Sequence, residues 1–368
     1  MVAGEPDRKH VLFLIPTLTG GGAERVMTML LRHLDRSRFS LTLAVVDMRE
    51  AVFRSDIPDD VEVIDLGYRR VRYALPKIIA LIRRRRPDVL FSTLGHLNLA
   101  MAVLRPILPS GVRMIARETT IVSCGLQAYR APAVWAMLYR WFYRNCDMVV
   151  CQSHYMQKDL VEEFDFPQQQ SVVIHNPVDV ERIRQLSSAA VDCPVLPPEG
   201  IALMAAGRFV PVKGFDLLIE AIALLGDPRV HVIVLGDGPL KDGFQQLAKI
   251  RGVAEQFHFV GFQANPCAWF ARADAFVLSS RHEGFPNVVL ESLACGTPVI
   301  ATPALGGTRE ILDGIPGCDV AMAISAPALA DAIGAWLRGD RRRVPVSAVE
   351  PYAIERIVDQ YQQVLTCR

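Results

Sequence analysis

The chain lacks the features that mark a zinc-binding, secreted or membrane-spanning protein. Its eight cysteines form no Cys-x-x-Cys pair, and no His/Cys cluster has the spacing of a zinc site. Cys151 and Cys295 lie among apolar residues, as the buried thiols of a cytoplasmic protein do. No apolar run approaches the length that crosses a bilayer, and the apolar segment after the polar residues 1–9 is too short for a secretory signal. Repeats and low-complexity tracts are also absent, so the sequence predicts a folded cytoplasmic protein.

What the chain does have is size and an uneven charge. Its 368 residues, half of them apolar, exceed a typical single core, which predicts two domains. The formal net charge is only +1, but residues 1–190 hold 25 Lys/Arg against 20 Asp/Glu, whereas residues 191–368 hold 15 against 19. The first half is therefore the basic one.

Strand patterns alternate with helix patterns throughout, which is typical of doubly wound parallel sheets. The predicted strands are residues 10–16, 41–46, 61–66, 89–92, 114–116, 148–151 and 172–174, then 201–206, 231–235, 257–260, 275–278 and 299–301. A break at 175–179 and a proline-rich linker at 194–198 separate the two series. The sequence thus predicts an α/β protein of two Rossmann-like domains that face each other across a cleft. Their bounds are 1–190 and 191–350, and a C-terminal helix, 351–368, crosses back to the first domain.

The strongest candidates for a binding site lie in the second half of the chain. Arg208 and Lys213 follow an apolar strand, and Glu283 follows another. A helix is predicted to begin near Asn287, which places Glu291 about one turn into it. Cations bind phosphate, carboxylates accept hydrogen bonds from sugar hydroxyls, and a helix N-terminus attracts anions. These residues therefore predict a site for a diphosphate with a polyhydroxylated group on each side.

Several motifs, taken in order, resemble one family. They are TGGGAER at 19–25, Arg208 and Lys213, GDGP at 236–239, VGF at 260–262, and EGFPNVVLE at 283–291. In this order and spacing they resemble the family-4 glycosyltransferases of GT-B architecture. That family transfers a sugar from a nucleotide diphosphate with retention of anomeric configuration. The resemblance covers almost the whole chain.

The resemblance implies a role for each matching residue. Arg208 and Lys213 would bind the diphosphate and neutralise its charge as the sugar departs, so with Glu283 they are the implied catalytic residues. Glu283 would hold the transferred sugar, and Glu291 the ribose. The implied donor-binding set also includes backbone or ring contacts at Gly21, Gly22, Gly261, Phe262, Asn287, Val288 and Val289. Fixed cations and amides would stabilise the leaving group, so neither a metal nor a cofactor is expected.

One position departs from the family pattern. Many relatives carry a His after the fifth strand of the first domain, where this chain has Arg117, Glu118 and Thr119. Any of these three, or His96 at the end of the preceding strand, is a candidate for the acceptor side. His96 could equally be a plain loop residue. The catalytic base stays open, although a front-face mechanism assisted by the donor phosphate would not need a strong one.

The charge pattern also suggests a partner. Residues 66–144 hold 14 basic residues against only two acidic ones. The end of this region interleaves arginines with aromatics, namely Trp135, Tyr139, Trp141, Phe142 and Tyr143. Arginines beside aromatics suit an anionic membrane surface. The alternative is that the arginines are solvated helix ends and the aromatics face the core. No nucleic-acid recognition motif is present.

Together with the charge pattern, the resemblance to family-4 glycosyltransferases implies a retaining hexosyl- or N-acetylhexosaminyltransferase. Its partners would be a UDP-linked sugar and a glycan acceptor, lipid-linked, in the synthesis of a bacterial cell-surface polysaccharide. The enzyme would be cytoplasmic and peripheral on the inner face of the membrane. Two alternatives remain: a nucleotide-sugar epimerase of the same architecture, which would turn over donor without acceptor, and a non-catalytic subunit that binds a nucleotide sugar. The sequence identifies neither the sugar nor the acceptor.

Overall fold

A computed structural model describes residues 8–192 and 200–367, and it divides the chain into two compact units. The first unit comprises Met1–Pro177 and Ile354–Arg368, and the second comprises Val178–Ala353. The first unit ends before the predicted boundary at residue 190 because Val178 and Ile183 are buried in the core of the second unit. The predicted linker at 194–198 lies outside the described residues.

The described residues form strands and helices in alternation. The strands are β1 (Lys9–Thr17), β2 (Phe39–Asp47), β3 (Glu62–Asp65), β4 (Val89–Thr93), β5 (Arg113–Arg117), β6 (Met148–Cys151), β7 (Ser171–Val173), β8 (Ile201–Ala206), β9 (Val230–Leu235), β10 (Phe257–Gly261), β11 (Ala275–Leu278), β12 (Val299–Ala301) and β13 (Asp319–Val320). The helices are α1 (Gly22–His33), α2 (Val71–Arg85), α3 (Gly95–Leu104), α4 (Val122–Leu126), α5 (Pro132–Phe142), α6 (His154–Phe164), α7 (Val180–Ser187), α8 (Phe215–Leu225), α9 (Lys241–Ile250), α10 (Cys267–Phe270), α11 (Asn287–Ala294), α12 (Thr308–Leu312), α13 (Ala326–Arg338) and α14 (Ile354–Thr366). Within the described residues, no helix combines the length and the apolar character needed to cross a membrane.

The first unit is a parallel sheet in the order β3-β2-β1-β4-β5-β6-β7. The side chains along its strands point alternately to two buried faces, as a sheet covered on both sides requires. One face carries Leu12 and Leu14 against α2 to α6, and the other carries Phe13 and Ile15 against α1 and α14. Helix α14 therefore completes the core of the first unit, although it comes last in the chain.

The end of α14 is hydrogen-bonded to the first residues of β1 and β5 in the same unit. The Lys9 ammonium group donates to the carbonyl oxygen of Thr366 at 2.7 Å, and Arg113 donates to the carbonyls of Val364 and Cys367. Cations at a helix C-terminus satisfy its free carbonyls and complement the helix dipole. These bonds bring the start of β1 and the end of α14 together.

The second unit is a parallel sheet in the order β10-β9-β8-β11-β12-β13. Helices α8 and α13 cover one face, around Leu218 and Ile333, and α10 and α11 cover the other, around Phe270 and Val289. All the predicted strands are present with ends within about two residues, and only β13 is new. The prediction of two Rossmann-like domains is confirmed.

Candidate active site

Two loops meet at the centre of the second sheet. Strands β8 and β11 are neighbours, and the chain leaves β8 for β9 on one side but continues from β11 to β12 on the other. Such a reversal opens a crevice at the carboxyl ends of the two strands, where ligands of doubly wound sheets bind. Arg208 and Lys213 follow β8, and Glu283 follows β11, so these predicted residues lie on the two loops that border this crevice.

The loop after β8 is held against the end of β11. Residues Pro211–Lys213 form a 3-10 turn that ends at Gly214, whose φ is +63°. A Cβ atom at Gly214 would lie 2.0 Å from the carbonyl oxygen of Ser279, so only glycine fits there. The Ser279 hydroxyl donates to the carbonyl oxygen of Lys213 at 2.9 Å. The turn that carries Lys213 is thus fastened to the strand end that leads to Glu283.

The two loops are joined by an ion pair. The Lys213 ammonium group donates to Glu283 Oε1 at 2.6 Å, with side chains 26% and 11% exposed. The Ser280 hydroxyl donates to the same oxygen at 2.6 Å. Glu283 is therefore held by two donors, one of which is also a predicted phosphate ligand.

Arg208 is the exposed cation of this region. Among the described residues its guanidinium group takes part in no ion pair or side-chain hydrogen bond. An exposed, uncompensated cation at a strand end is available to an anionic ligand.

The start of α11 agrees in part with the prediction. The helix begins at Asn287, and Glu291, buried at 7% exposure, lies one turn further along. The Val289 N–H group donates to the carbonyl oxygen of Pro286 at 3.0 Å, so this predicted ligand donor is already paired. Asn287 and Val288 are half-buried at the first turn.

Two glycines that the sequence analysis did not single out support the Glu283 loop. Gly306 has a φ of +107°, and a Cβ atom there would lie 1.7 Å from the carbonyl oxygen of Glu283. A Cβ atom at Gly307 would lie 2.2 Å from the Phe285 ring. Backbone bonds from Glu283 N to Leu305 O and from Gly307 N to Gly284 O complete the contact, at 2.8 and 2.9 Å. The sequence signal that could have identified this support is the pair Gly306-Gly307 in the loop after β12.

Gly261 and Phe262 lie at the end of β10, on the far side of β9 from β8. Gly261 has a φ of +80°, and its carbonyl oxygen accepts from Gly236 N at 2.9 Å. The Phe262 ring is 65% exposed. An exposed aromatic ring at the carboxyl edge is compatible with base stacking, which stays a prediction.

In the first unit, the predicted glycine loop precedes α1. Gly20 has a φ of +103°, and Gly21 is the N-cap residue of the helix that begins at Gly22. A Cβ atom at Gly21 would lie 2.4 Å from Glu24 Oε2, and Thr17 donates to the other oxygen of this buried carboxylate at 3.2 Å. Glu24 thus takes the N3 position of α1, in the first turn of the helix, where a carboxylate complements the helix dipole. A phosphate bound at Gly21 would lie close to the Glu24 carboxylate. The sequence analysis did not consider this carboxylate.

The acceptor-side candidates have different surroundings. His96 is exposed in the first turn of α3, and partial burial of the ring lowers its pKa, which favours the neutral imidazole. Leu94, which precedes this turn, has a φ of +75°, a strained conformation for leucine. Thr119 is half-buried in the loop after β5.

Glu118 lies inside the first unit, at 1% exposure. Its Oε1 accepts from the hydroxyl of Tyr143 and from Asn98 Nδ2, the latter at 3.2 Å. A Cβ atom at Gly95 would lie 3.2 Å from its Oε2. Burial raises the pKa of Glu118 because it removes water from the carboxylate. The structure therefore does not support direct contact between Glu118 and an acceptor.

Arg117 is buried on the opposite face of the same strand, also at 1% exposure. Its Nε donates to the Tyr361 hydroxyl at 2.9 Å, and one terminal nitrogen donates to Asn176 Oδ1 at 2.6 Å. The other terminal nitrogen is buried without a hydrogen bond. Arg117 therefore connects β5 to α14 rather than facing a substrate.

The basic region forms the outer surface of one helix layer. Helices α2, α3 and α5 all pack on the same face of the first sheet. Exposed arginines flank and line α2. Helix α5 carries three exposed apolar residues at helical spacing, Val134, Met137 and Trp141, with exposed Arg130 before the helix and exposed Arg144 after it; we call these five residues the α5 stripe. Of the predicted interfacial aromatics only Trp141 is exposed, at 63%, because Tyr139 and Tyr143 face the core.

Comparisons with known proteins agree with this geometry. Residues 20–182 match the model described as Glycosyltransferase Family 4, and residues 200–338 match that of Glycosyl transferases group 1. The lipopolysaccharide core biosynthesis glycosyltransferase LpsE of Rhizobium meliloti is 30% identical over 358 residues, which cover 95% of this chain and 96% of LpsE. The chain belongs to glycosyltransferase family 4.

Further relatives of this glycosyltransferase extend the comparison. A 4-alpha-N-acetylgalactosaminyltransferase of Campylobacter jejuni, named for its diphospho-undecaprenol-linked substrate, is 27% identical over 81% of both chains. The crystal structure of HepE from Anabaena with UDP-glucose superposes with a TM-score of 0.78 at 18% identity, covering 97% of this chain and 99% of HepE. The latter likeness shows the GT-B fold.

Proposed function

We propose that this glycosyltransferase takes its sugar from a nucleotide diphosphate sugar, UDP-hexose or UDP-N-acetylhexosamine, and transfers it with retention. The observation that carries the proposal is the ion pair of Lys213 and Glu283 at the crevice of the second sheet, with Arg208 exposed on the same loop as Lys213. A phosphate ligand and a hydroxyl ligand are in contact there, as a sugar attached directly to a diphosphate requires. The binding of UDP-glucose by HepE supports the same donor class.

In this proposal the donor replaces the internal ion pair. The diphosphate binds Arg208 and Lys213, while Glu283, still held by Ser280, accepts a hydroxyl of the sugar. Glu291 accepts the ribose hydroxyls. As the bond from the sugar C1 to the phosphate oxygen breaks, the two cations stabilise the charge on the diphosphate.

The acceptor hydroxyl then forms its bond to C1 on the face that the phosphate leaves, and its proton passes to the departing phosphate oxygen. This step retains the anomeric configuration. It uses no side-chain base, in accord with the burial of Glu118, and the fixed cations fill the role of a metal.

We further propose a lipid-linked glycan acceptor at an anionic membrane surface, in polysaccharide synthesis. The names of the LpsE and Campylobacter relatives support such an acceptor. The α5 stripe supplies an apolar strip that ends in an arginine on each side, and helix α2, on the same face of the sheet, adds further exposed arginines. Apolar side chains enter the interface while each nearby cation contributes about 1 kcal/mol at an anionic surface.

Liposome co-sedimentation tests the membrane contact. Trp141→Ser and Arg144→Glu should each weaken binding to anionic vesicles about fivefold or more at low salt, and high salt should weaken binding of the unmodified protein. Ile250→Ser is the matched control, because Ile250 is equally exposed, at 67%, on α9 of the second unit. Equal loss in the control, or binding that ignores lipid charge, would contradict this surface.

A thermal-shift screen across UDP- and GDP-linked sugars tests the donor, because a ligand that binds the folded state raises Tm. The stabilising donor is then incubated with lipid-linked glycans, and NMR reads the anomeric configuration of the product. An α-linked donor should give an α-linked product. An inverted product refutes the retaining mechanism, donor turnover without acceptor indicates an epimerase, and binding without turnover indicates a non-catalytic subunit.

A further inference from the structure

Three consecutive residues after β11 hold the two donor loops together, and the sequence analysis assigned none of them a function. Ser279 bonds the carbonyl oxygen of Lys213, and Ser280 bonds the Glu283 carboxylate. Arg281 makes the most contacts of the three. These residues, which we call the 279–281 segment, are hydrogen-bonded to Glu283 and to the turn that carries Lys213, the two proposed ligands of the donor.

Arg281 joins the loop of Lys213 to the start of α8. Its guanidinium group donates to both carboxylate oxygens of Asp216, at 2.9 and 2.6 Å, and to the carbonyl oxygen of Pro211 at 2.6 Å. Its backbone N–H donates to the carbonyl oxygen of Val212 at 2.8 Å. The ion pair lowers the pKa of Asp216, so the carboxylate stays charged across the neutral range. Arg281 thus bonds the first two residues of the 3-10 turn, and Ser279 bonds the third, Lys213.

Ser280 acts on the other ligand. It is 1% exposed, and its hydroxyl reaches the Glu283 oxygen that also binds Lys213. Its own carbonyl oxygen accepts from the hydroxyl of Thr302, which lies just after β12. When a diphosphate draws Lys213 away, Ser280 is the donor that remains on Glu283 and keeps its carboxylate oriented.

We propose that Arg281 and Ser280 are positioning residues of the donor site: Arg281 fixes the phosphate-binding turn, and Ser280 fixes the sugar-binding carboxylate. This rests on the proposed function. A displacement of a ligand group by about 1 Å can cost up to about 100-fold, so supports of this kind have measurable effects without touching the donor.

The two residues should be separable by experiment. Arg281→Met should weaken binding of UDP about 10-fold by calorimetry, and Arg281→Lys, which keeps one of the contacts, should recover part of it. Ser280→Ala should leave UDP affinity unchanged and lower kcat about 10-fold, because the nucleotide does not need Glu283. Asp216→Asn should weaken UDP binding as Arg281→Met does, and the double variant should be no worse than either single one.

Two controls match these variants. Arg251 pairs with Glu220 at 2.7 Å on the same unit, at a similar exposure, so Arg251→Met removes a comparable ion pair away from the crevice. Ser292 is buried on α11 and donates to the carbonyl oxygen of Thr297, so Ser292→Ala removes a comparable hydroxyl. Both controls should keep the UDP affinity and kcat of the unmodified enzyme.

If the unmodified enzyme binds UDP and transfers sugar but Arg281→Met and Ser280→Ala behave like their controls, the positioning roles are refuted and the proposed function stands. Failure of the unmodified enzyme to bind any nucleotide diphosphate would refute the proposed function, and the positioning roles with it. A loss of UDP affinity in Ser280→Ala equal to that in Arg281→Met would refute the division of roles.

Discussion

The ion pair of Lys213 and Glu283 leads to an unusual prediction about two carboxylates in one site. Glu283→Gln should abolish most turnover but should not weaken the binding of UDP, and should tighten it slightly. Without the carboxylate charge, Lys213 no longer has a competing partner and is free for phosphate. Glu291→Gln should instead weaken UDP binding, because the proposed partner of Glu291 is the ribose.

The size of the effect follows from the exposure of the pair. Exposed ion pairs contribute about 0.2–1 kcal/mol. Lys213 and Glu283 are 26% and 11% exposed, so we place this pair near the upper end, at about 1 kcal/mol. Release of Lys213 should then tighten UDP up to about fivefold. Loss of a group that acts in the transition state costs about 100-fold or more in kcat, whereas loss of charge-assisted bonds to ribose by Glu291→Gln should cost about 10-fold in affinity.

Calorimetric titration with UDP and initial rates with the full donor measure these quantities separately. Glu220→Gln is a suitable control, because Glu220 is also paired with a cation of the second unit, Arg251, but lies on α8. UDP should bind this control as it binds the unmodified enzyme. If Glu283→Gln weakens UDP as much as Glu291→Gln does, then Glu283 binds the nucleotide and the assigned roles are reversed.

Three further predictions address the phosphate site, a buried acid and the metal. Arg208→Ala and Lys213→Ala should each lower transfer about 100-fold with little change in Tm, because both are loop residues; full activity in either would refute the diphosphate site. Because burial raises the pKa of Glu118, folding favours its protonated form, and this stabilisation is complete at low pH and is lost as pH rises through the raised pKa. The Tm of Glu118→Gln, which does not titrate, should therefore rise relative to that of the unmodified protein as the pH increases above the ordinary pKa of a glutamate, and a constant difference would contradict this. EDTA should leave transfer intact, and activity that strictly requires added Mg²⁺ would refute the proposal that fixed cations suffice.

The positions of the strands were predictable because each buried strand is a short apolar run between turn residues. The residues after β8 and β11 could be assigned to one crevice by the rule that parallel strands end at the same edge. Strand β13 was missed because its two residues are too few to show a period.

Side-chain pairing between distant loops could not be predicted in this way. The contact of Arg281 with Asp216 and the contact of Ser280 with Glu283 depend on how two loops pack, and nothing in their local sequence specifies it. Arg117 and Glu118 were candidates for the acceptor side because they lie at the end of the fifth strand, where many relatives carry a His. Both are buried because the alternation of β5 turns one towards α14 and the other towards Tyr143.

The buried guanidinium group of Arg117 affects how the first unit could be isolated. A fragment cut after Pro177 would lose Tyr361, one of the two side chains that bond Arg117, and would expose the sheet face that Ile357 and Leu365 cover. Because Lys9 bonds Thr366, a short linker could join the end of α14 to the start of β1. A circular permutant of this kind, beginning with α14 and ending near Asn176, would keep both hydrogen bonds of Arg117 in one continuous chain.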